Sequence, residues 1–153
     1  MKEEVPNAIL IPEIIKLMNE GHTVTINIKG FSMQPFLENG RDSVLLSQPA
    51  KIHKRSIVLA EIQPGKYVLH RIIKINGNHI VLRGDGNTGT EHCTLRDIKG
   101  FAIGFYRKGR KKQDKTSGWK WKLYSIIWCG LFPERKYLLA AYRKIWIHIF
   151  GPI

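Results

Sequence analysis

The sequence has little cysteine and no long apolar run, and both shortages exclude classes of protein. Its two cysteines, Cys93 and Cys129, are too few for a disulfide framework and lack the Cys-x-x-Cys spacing of many metal sites. The six histidines are dispersed, so we expect neither a metal nor another cofactor. No window reaches about 18 uninterrupted apolar residues, and the N-terminal segment mixes charges and proline with its apolar residues, unlike a secretory signal. These absences favour a reducing compartment and a cytoplasmic location.

Acidic residues are also scarce, with 12 against 25 lysines and arginines and a net charge of +13. Residues 107–153 hold twelve basic and two acidic residues, a net charge of +10, which leaves +3 for the first 106 residues. At 153 residues with 43% hydrophobic content, the chain is long enough for one domain with an appendage. We divide it into an N-terminal helix (1–22), a β domain (23–107), a basic linker (108–118) and a basic, aromatic helical tail (119–153).

Hydrophobic periodicity predicts one helix followed by several strands. Apolar residues recur at helical spacing from Ile9 to Met18, and Gly21 is a suitable end for this helix. Gly77 and Asn78 separate two of the later apolar runs and predict a hairpin turn. Alternating or continuous apolar runs predict strands over 23–28, 43–47, 56–62, 67–75, 79–83 and 98–107. The predicted fold class is therefore mainly β with helices, a small, coiled and mostly antiparallel sheet.

Three segments of the β domain carry residues suited to nucleophilic catalysis. Ser32 lies in a Gly-Phe-Ser-Met-Gln-Pro segment, His70 follows inside a predicted strand, and residues 84–87 read Gly-Asp-Gly-Asn. A serine hydroxyl needs a base to take its proton, and the base needs an acid or a carbonyl to fix its tautomer. Because side chains alternate faces along a strand, His70 and Arg71 should point in opposite directions. Arg71 is therefore predicted to be a structural ion-pair partner.

The combination of Ser-Met-x-Pro, a strand with a base before an arginine, and Gly-Asp-x-Asn resembles the type I signal peptidases and LexA-like serine peptidases over residues 23–107. Histidine in place of lysine at the base position is similar to the Ser-His-acid branch found in the endoplasmic reticulum and in archaea. The resemblance implies a serine endopeptidase that cleaves an extended peptide after a small residue, with Ser32 as nucleophile and His70 as general base. It also implies an orienting acid a few residues beyond Gly-Asp-x-Asn, where Glu91 replaces the family's aspartate. Glu91 and Asp85 both remain candidates for that role.

The sequence departs from this family at the oxyanion hole. Signal peptidases usually have a serine two positions before the nucleophile, and its hydroxyl assists the backbone amide of the nucleophile, but this chain has Gly30 there. Loss of one such donor costs roughly 100- to 1000-fold in rate. We expect either a second donor beside the Ser32 amide or slow turnover.

The tail contains all four tryptophans, with aromatic and aliphatic residues at helical spacing beside basic ones. One interpretation is an interfacial helix that binds anionic lipid and makes the protein peripheral on the cytoplasmic membrane. The other is a pair of helices that fold back onto the sheet, with solvated charges. On the first interpretation the lipid-binding residues are Trp119, Trp121, Trp128, Arg135, Lys136, Arg143, Lys144 and Trp146. Because the candidate site residues precede the linker, we expect residues 119–153 to determine location and not catalysis.

Two other functions compete with a peptidase. The basic, aromatic tail could bind nucleic acid, although no RNP, KH, zinc-finger or helix-turn-helix pattern accompanies the charge. A catalytically weak or inactive protein could instead bind peptides by strand addition, which would fit the unusual Gly30 and Glu91. We favour the peptidase because Ser32 and His70 occur together in the order and setting that the resemblance requires.

Overall fold

A single antiparallel sheet forms most of the computed structural model, which describes residues 7–49 and 51–153. Its strands are β1 (Val24–Asn27), β2 (Ser43–Ser47), β3 (Ile57–Gln63), β4 (Lys66–Asn76), β5 (His79–Arg83), β6 (Glu91–Thr94), β7 (Ile98–Tyr106) and β8 (Asp114–Lys115). The α-helices are α1 (Asn7–Asn19), α2 (Trp119–Gly130), α3 (Arg135–Ala141) and α4 (Ile147–Phe150). A π-helical segment (Tyr142–Trp146) joins α3 to α4, and a 3-10 turn (Leu95–Asp97) precedes β7. The predicted class, mainly antiparallel β with helices, is confirmed.

The strands lie in the order β1-β2-β7-β3-β4-β5-β6. Strand β8 pairs with Gly104 and Phe105, near the C-terminal end of β7. Strands β4 and β5 form the predicted hairpin, in which Asn76 pairs with His79 across Gly77 and Asn78. Gly77 has a φ of +56°, while Asn78 is not left-handed, so the turn resembles type II′. The sequence prediction missed β6 and β8. Within the described chain, β1 and β6 end the sheet, which leaves β1 as an edge strand beside Ser32.

Helix α1 ends where the sequence predicts and packs on the sheet. Gly21 has a φ of +89°, a conformation that glycine adopts without strain. Its amide donates to the Met18 carbonyl at 3.0 Å, and the next amide closes the helix by donating to the Leu17 carbonyl at 3.1 Å. The buried face of α1 consists of Ile11, Ile14 and Met18, which join the main core.

Helix α2 belongs to the same core. Trp121 is buried, and its ring centroid lies 4.6 Å from that of Phe36 and 4.8 Å from that of Phe105. Aromatic side chains of this size bury on the order of 150–250 Å² each. The tail therefore folds back onto the sheet through α2. Helix α2 therefore also contributes to the fold, because its removal would open the aromatic core, while the expectation that residues 119–153 determine location and not catalysis stays a prediction.

Candidate active site

Ser32 lies in a tight, anchored turn after β1. Gly30 has a φ of +83°, and its amide donates to Oδ1 of Asn39 at 3.0 Å. Behind the half-buried Ser32, the buried side chains of Met33 and Leu37 hold the turn to the core, and the Leu37 amide donates to the Met33 carbonyl at 3.0 Å. Buried apolar side chains directly after a polar residue fix the position of its backbone. Ser32 is thus presented at the surface of a rigid segment.

His70 and Glu91 form a close pair beside this turn. His70 lies on β4 and is only 4% exposed, while Glu91 begins β6, with β5 between the two strands. Nδ1 of His70 lies 2.9 Å from Oε2 of Glu91. A carboxylate that accepts a hydrogen bond from Nδ1–H keeps the ring proton on Nδ1 and leaves Nε2 unprotonated in the neutral ring, which is the tautomer required of a general base. Glu91, rather than Asp85, therefore lies where it can orient His70.

The loop at residues 84–87 clamps the turn that carries Ser32. The Gly86 amide donates to the Ser32 carbonyl at 2.7 Å, and the Asn87 amide donates to the Gly84 carbonyl at 3.0 Å. A Cβ atom at Gly84 would collide with the Ser32 carbonyl oxygen and would lie 3.0 Å from Nε2 of His70. Glycine is required at position 84 because the backbones approach so closely. The same geometry places Nε2 of His70 on the side of the ring that faces the Ser32 turn.

Ser32 and His70 line one cleft of about 640 Å³, together with β1, part of β4 and α1. Their side chains do not form a hydrogen bond to each other in the structure. Catalytic hydrogen bonds in unliganded enzymes are often long and shorten only when substrate binds. The arrangement therefore suits a nucleophile and base that engage upon substrate binding.

Asp85 is committed to a different partner. Its two carboxylate oxygens accept hydrogen bonds from Nε and a terminal nitrogen of Arg71 at 2.7 and 2.6 Å, and both side chains are 1% exposed. Helix α2 completes the cluster, because Ser125 accepts from Arg71 at 2.7 Å, and Tyr124 and Trp128 donate to Asp85 at 3.2 and 3.0 Å. Arg71 is the structural ion-pair partner that strand alternation predicts. Its partner Asp85 is in turn saturated with hydrogen bonds.

The oxyanion hole has one clear donor. The Ser32 amide makes no hydrogen bond to any described residue, so it is free to donate to a bound carbonyl oxygen. The conformation of Gly30 explains the missing serine at that position, because a side chain is strained at a φ of +83°. No atom lies within 4 Å of the position that a Cβ would take there, so space does not exclude a side chain.

A polar network that the sequence does not indicate joins the tail to the Ser32 turn. Arg143, in the π-helical segment, donates through Nε to the Gln34 side chain at 2.9 Å and through a terminal nitrogen to the Gly86 carbonyl at 3.1 Å. Gln34 donates to both carboxylate oxygens of Glu38 at 2.9 and 3.1 Å, and Tyr142 donates to the same carboxylate at 3.3 Å. More than 100 residues separate Gln34 from Arg143, and no local pattern indicates such a contact.

The buried Cys93 thiol is a poor candidate for a competing nucleophile. Burial raises the pKa of the Cys93 thiol to about 11, so the thiol is protonated and weakly nucleophilic near neutral pH. Across residues 7–49 and 51–153, no three histidine, cysteine or carboxylate side chains cluster as metal ligands. None of the helices in this part of the chain is long and apolar enough to cross a bilayer.

Comparisons with family models, with curated proteins and with solved structures found no match to this chain. The function is therefore inferred from the geometry of Ser32, His70 and Glu91.

Proposed function

We propose that this protein is a serine endopeptidase that resembles the type I signal peptidases, and that its sheet follows the signal peptidase and LexA arrangement. The observation that supports this most strongly is the 2.9 Å contact between Nδ1 of His70 and Glu91, with Nε2 facing the turn that carries Ser32. A serine, a histidine and an acid thus occupy the three positions of a triad. No cofactor is required.

In the proposed reaction, Oγ of Ser32 attacks the carbonyl carbon of the peptide while Nε2 of His70 takes the hydroxyl proton. The carbonyl oxygen becomes an oxyanion that accepts a hydrogen bond from the Ser32 amide. His70 then gives its proton to the departing amine, and the carbon–nitrogen bond breaks to leave an ester on Ser32. Water then attacks the ester carbon while it loses a proton to His70. The bond from that carbon to Oγ of Ser32 breaks, His70 returns the proton to Oγ, and the acyl segment leaves as a carboxylic acid. The Glu91 side chain acts as a carboxylate throughout and stabilises the imidazolium.

The cleft beside Ser32 suits an extended peptide. It runs between the edge strand β1 and the part of β4 that carries His70, and Val24, Ile26 and Leu69 contribute apolar walls. An edge strand has unpaired backbone groups that can bind a further strand. We therefore place the acyl segment of the substrate along β1, with a small residue at the scissile bond.

The decisive experiment compares cleavage of a proteome-derived peptide library by the wild type and by Ser32→Ala and His70→Ala. We expect each substitution to reduce kcat/KM by on the order of 10⁵- to 10⁶-fold, because a nucleophile and its base act as a unit. Ser47→Ala, in β2, is the matched control and should cleave like the wild type. A fluorophosphonate probe read by intact mass should label Ser32 without reference to any substrate.

Folded Ser32→Ala that cleaves at the wild-type rate would exclude the triad. Peptide binding without any Ser32-dependent cleavage or labelling would instead favour the inactive peptide-binding protein.

For location, we propose that the tail contacts an anionic membrane surface. Trp119, Tyr137, Ile149 and Phe150 are each more than 60% exposed. Exposed basic side chains accompany them, namely Lys120, Lys122, Lys136, Arg143 and Lys144. Apolar groups that insert between headgroups beside cations that attract them suit an interfacial helix. Trp121, Trp128 and Arg135 do not take part, because they are buried against the body.

Vesicle flotation tests this location. The full chain should float with vesicles that contain phosphatidylserine but not with neutral vesicles, and salt should weaken the binding, since the Debye length falls from about 10 Å at 0.1 M to about 3 Å at 1 M. If the protein binds neither the anionic nor the neutral vesicles but retards RNA or DNA in a gel, the nucleic-acid alternative is favoured.

A further inference from the structure

The Ser32 turn separates two cavities of different character. The first is the apolar cleft that Ser32 shares with His70. The second, of about 510 Å³, lies on the other side of the turn and does not include His70. It is lined by Phe31, Ser32, Gln34, Gly86, Asn87, Arg143 and Ile147. A peptide bond held at Ser32 therefore has a cavity on each side for the flanking segments.

The second cavity adjoins a basic groove. The groove has a volume of about 620 Å³ and lies between residues 86–91 and the helical segment that follows α2. The cavity and the groove share Gly86, Asn87 and Arg143, so they meet at the Arg143 side chain. Lys136 and Lys144 line the groove beyond it. A segment that leaves Ser32 through the second cavity reaches three cationic side chains.

Within the described part of the chain, these cations have no acidic partner. Arg143 donates only to neutral oxygens, those of the Gln34 side chain and of the Phe31 and Gly86 backbone. No carboxylate among the described residues lies within ion-pair distance of Lys136, Arg143 or Lys144. The groove's one acidic lining residue is Glu91, which is engaged with His70. With respect to residues 7–49 and 51–153, the groove is therefore an uncompensated cationic site.

Arg143 is also fixed in place before any ligand arrives. Its Nε bond to Gln34 is supported in turn by the two bonds from Gln34 to the buried Glu38. One terminal nitrogen of Arg143 makes no hydrogen bond to the described residues and can donate to a ligand. A guanidinium that is held from one side and open on the other is suited to bind a carboxylate with little loss of side-chain entropy.

We propose that the groove is the subsite for the leaving segment of the substrate and selects peptides with an acidic side chain shortly after the scissile bond. The inference rests on the proposed peptidase function. The acyl segment is assigned to the apolar cleft, where the edge strand β1 can pair with it, so the leaving segment falls on the Arg143 side of Ser32. The groove residues Lys136, Arg143 and Lys144 are then specificity determinants.

The first test measures binding of leaving-segment products and needs no turnover. The probes are a tetrapeptide amide of sequence alanine-glutamate-glutamate-alanine and its glutamine twin, titrated against the full chain. We expect the glutamate peptide to bind about tenfold more tightly, the size that two modest charge contacts give together. The double substitution Lys136→Gln and Lys144→Gln should remove most of this preference. These lysines are preferred to Arg143 as targets because they make no hydrogen bond to the Ser32 turn.

The double substitution Lys111→Gln and Lys112→Gln is the matched control, since it also removes two positive charges, from the basic linker, and neither lysine lines the cavity or the groove. It should leave the preference unchanged. Equal affinity for the two peptides, or a preference that survives the double lysine substitution, would overturn the proposal.

The second test reads the residues on both sides of each bond that the wild type cleaves in the peptide library. Enrichment of glutamate and aspartate after the scissile bond, reduced in the double lysine variant, would support the subsite. Ser32-dependent cleavage without that enrichment would overturn the subsite while the peptidase stands. An acid preference in binding without any Ser32-dependent cleavage would support the cationic site and overturn the peptidase.

Discussion

Two adjacent residues of β4 each pair with an acid, and the two pairs differ in every physical respect. Nδ1 of His70 contacts Glu91 at 2.9 Å, and the Glu91 side chain is 26% exposed. Arg71 contacts Asp85 through two hydrogen bonds, and both side chains are 1% exposed. The first pair lies beside an open cleft and can change protonation, whereas the second is sealed by α2. One pair suits chemistry and the other suits structure.

The difference follows from strand alternation. Because neighbouring residues of β4 face opposite sides of the sheet, His70 faces the Ser32 turn and Arg71 faces the aromatic side chains of α2. The carbon of the Arg71 guanidinium lies 4.6 Å from the Trp121 ring centroid. The segment after β5 then supplies one acid to each face. A single stretch of seven residues, 85–91, thus contributes one acid to the candidate site and one to the buried ion pair.

Replacing the acid of the accessible pair should have the larger effect, and it should be an effect on rate. Glu91→Gln presents an amide to Nδ1, which can favour the wrong imidazole tautomer, a change that costs up to about 10⁴-fold in kcat in a well-studied triad. Thermal unfolding should change little because Glu91 is partly exposed. Steady-state kinetics measure the loss of kcat.

Glu61→Gln is the control for this prediction. Glu61 also has a partly exposed side chain, which lies 3.5 Å from the Lys99 ammonium and accepts a hydrogen bond from the Gly65 amide at 2.9 Å. It should retain wild-type kinetics. If Glu91→Gln lowered kcat as little as Glu61→Gln does, a group other than Glu91 would have to orient His70.

Replacing the acid of the sealed pair should act mainly on stability. Asp85→Asn leaves the Arg71 cation buried without a counter-charge, which costs about 3–5 kcal/mol in the free energy of unfolding. A domain of this size loses about 2–4 °C of Tm per kcal/mol, so scanning calorimetry should detect a fall of at least about 6 °C. The kcat of the folded fraction should remain near the wild-type value.

The double variant Arg71→Met with Asp85→Leu separates charge from packing. Apolar residues of similar size often replace a buried ion pair without loss, so this variant should regain most of the stability. A double variant as unstable as Asp85→Asn would mean that the side-chain hydrogen bonds to Tyr124 and Ser125, rather than the ion pair, stabilise the cluster.

Much of the sheet could be predicted because its signals are local. β2 and β5 have the predicted bounds, and the other predicted strands differ by one or two residues at their ends. β6 was missed because its sequence, Glu-His-Cys-Thr, has little apolar content, and it is a strand only because β5 pairs with it. β8 has two residues and lies inside the predicted basic linker, where charge hides any periodic pattern.

The site was predictable as a set of residues but not as a set of pairs. Spacing and the family resemblance brought Ser32, His70 and the two acids together, yet the choice between Glu91 and Asp85 depends on which face of the sheet each acid reaches. The contacts of Arg143 could not be predicted from the sequence, for another reason. They join residues that are distant in the chain, and only the path of the tail across the sheet creates them.

A third ion pair, between Arg41 and Asp42, combines one partly exposed and one buried side chain. Its contribution to the free energy of unfolding should depend on pH. Asp42 is fully buried and accepts hydrogen bonds from Arg41 at 2.7 and 2.9 Å and from the amides of Glu38 and Lys108, each at 2.9 Å. Burial alone would raise the pKa of Asp42, but these hydrogen bonds outweigh it and hold the pKa below its ordinary value of 3.8. The folded state therefore binds the Asp42 proton less readily than the unfolded chain.

The stability that Asp42 contributes is complete above about pH 4 and is lost as the pH falls through the lowered pKa. Urea unfolding of the wild type and of Asp42→Asn at pH 6, 4 and 2.5 measures it, and the gap between the two proteins should narrow as the pH falls. Asp114→Asn, at an exposed position in β8, should show no such convergence. A constant gap would assign the contribution of Asp42 to packing instead of charge.

The smallest effect is expected where a side chain contacts only solvent, and α2 offers a matched pair to test it. Trp119 is 70% exposed and Trp121 is 9% exposed, two positions apart on one helix. Trp121→Ala should cost about 3–5 kcal/mol of stability, because it empties the space between Phe36 and Phe105. Trp119→Ala should change the free energy of unfolding by no more than about 0.5 kcal/mol. It should nevertheless weaken the free energy of binding to phosphatidylserine vesicles, measured by flotation, by about 1–2 kcal/mol, since it removes an apolar side chain that only lipid would bury. If flotation of Trp119→Ala equals that of the wild type, the exposed face of α2 does not enter the membrane, and the lipid contact must be sought at α4 instead.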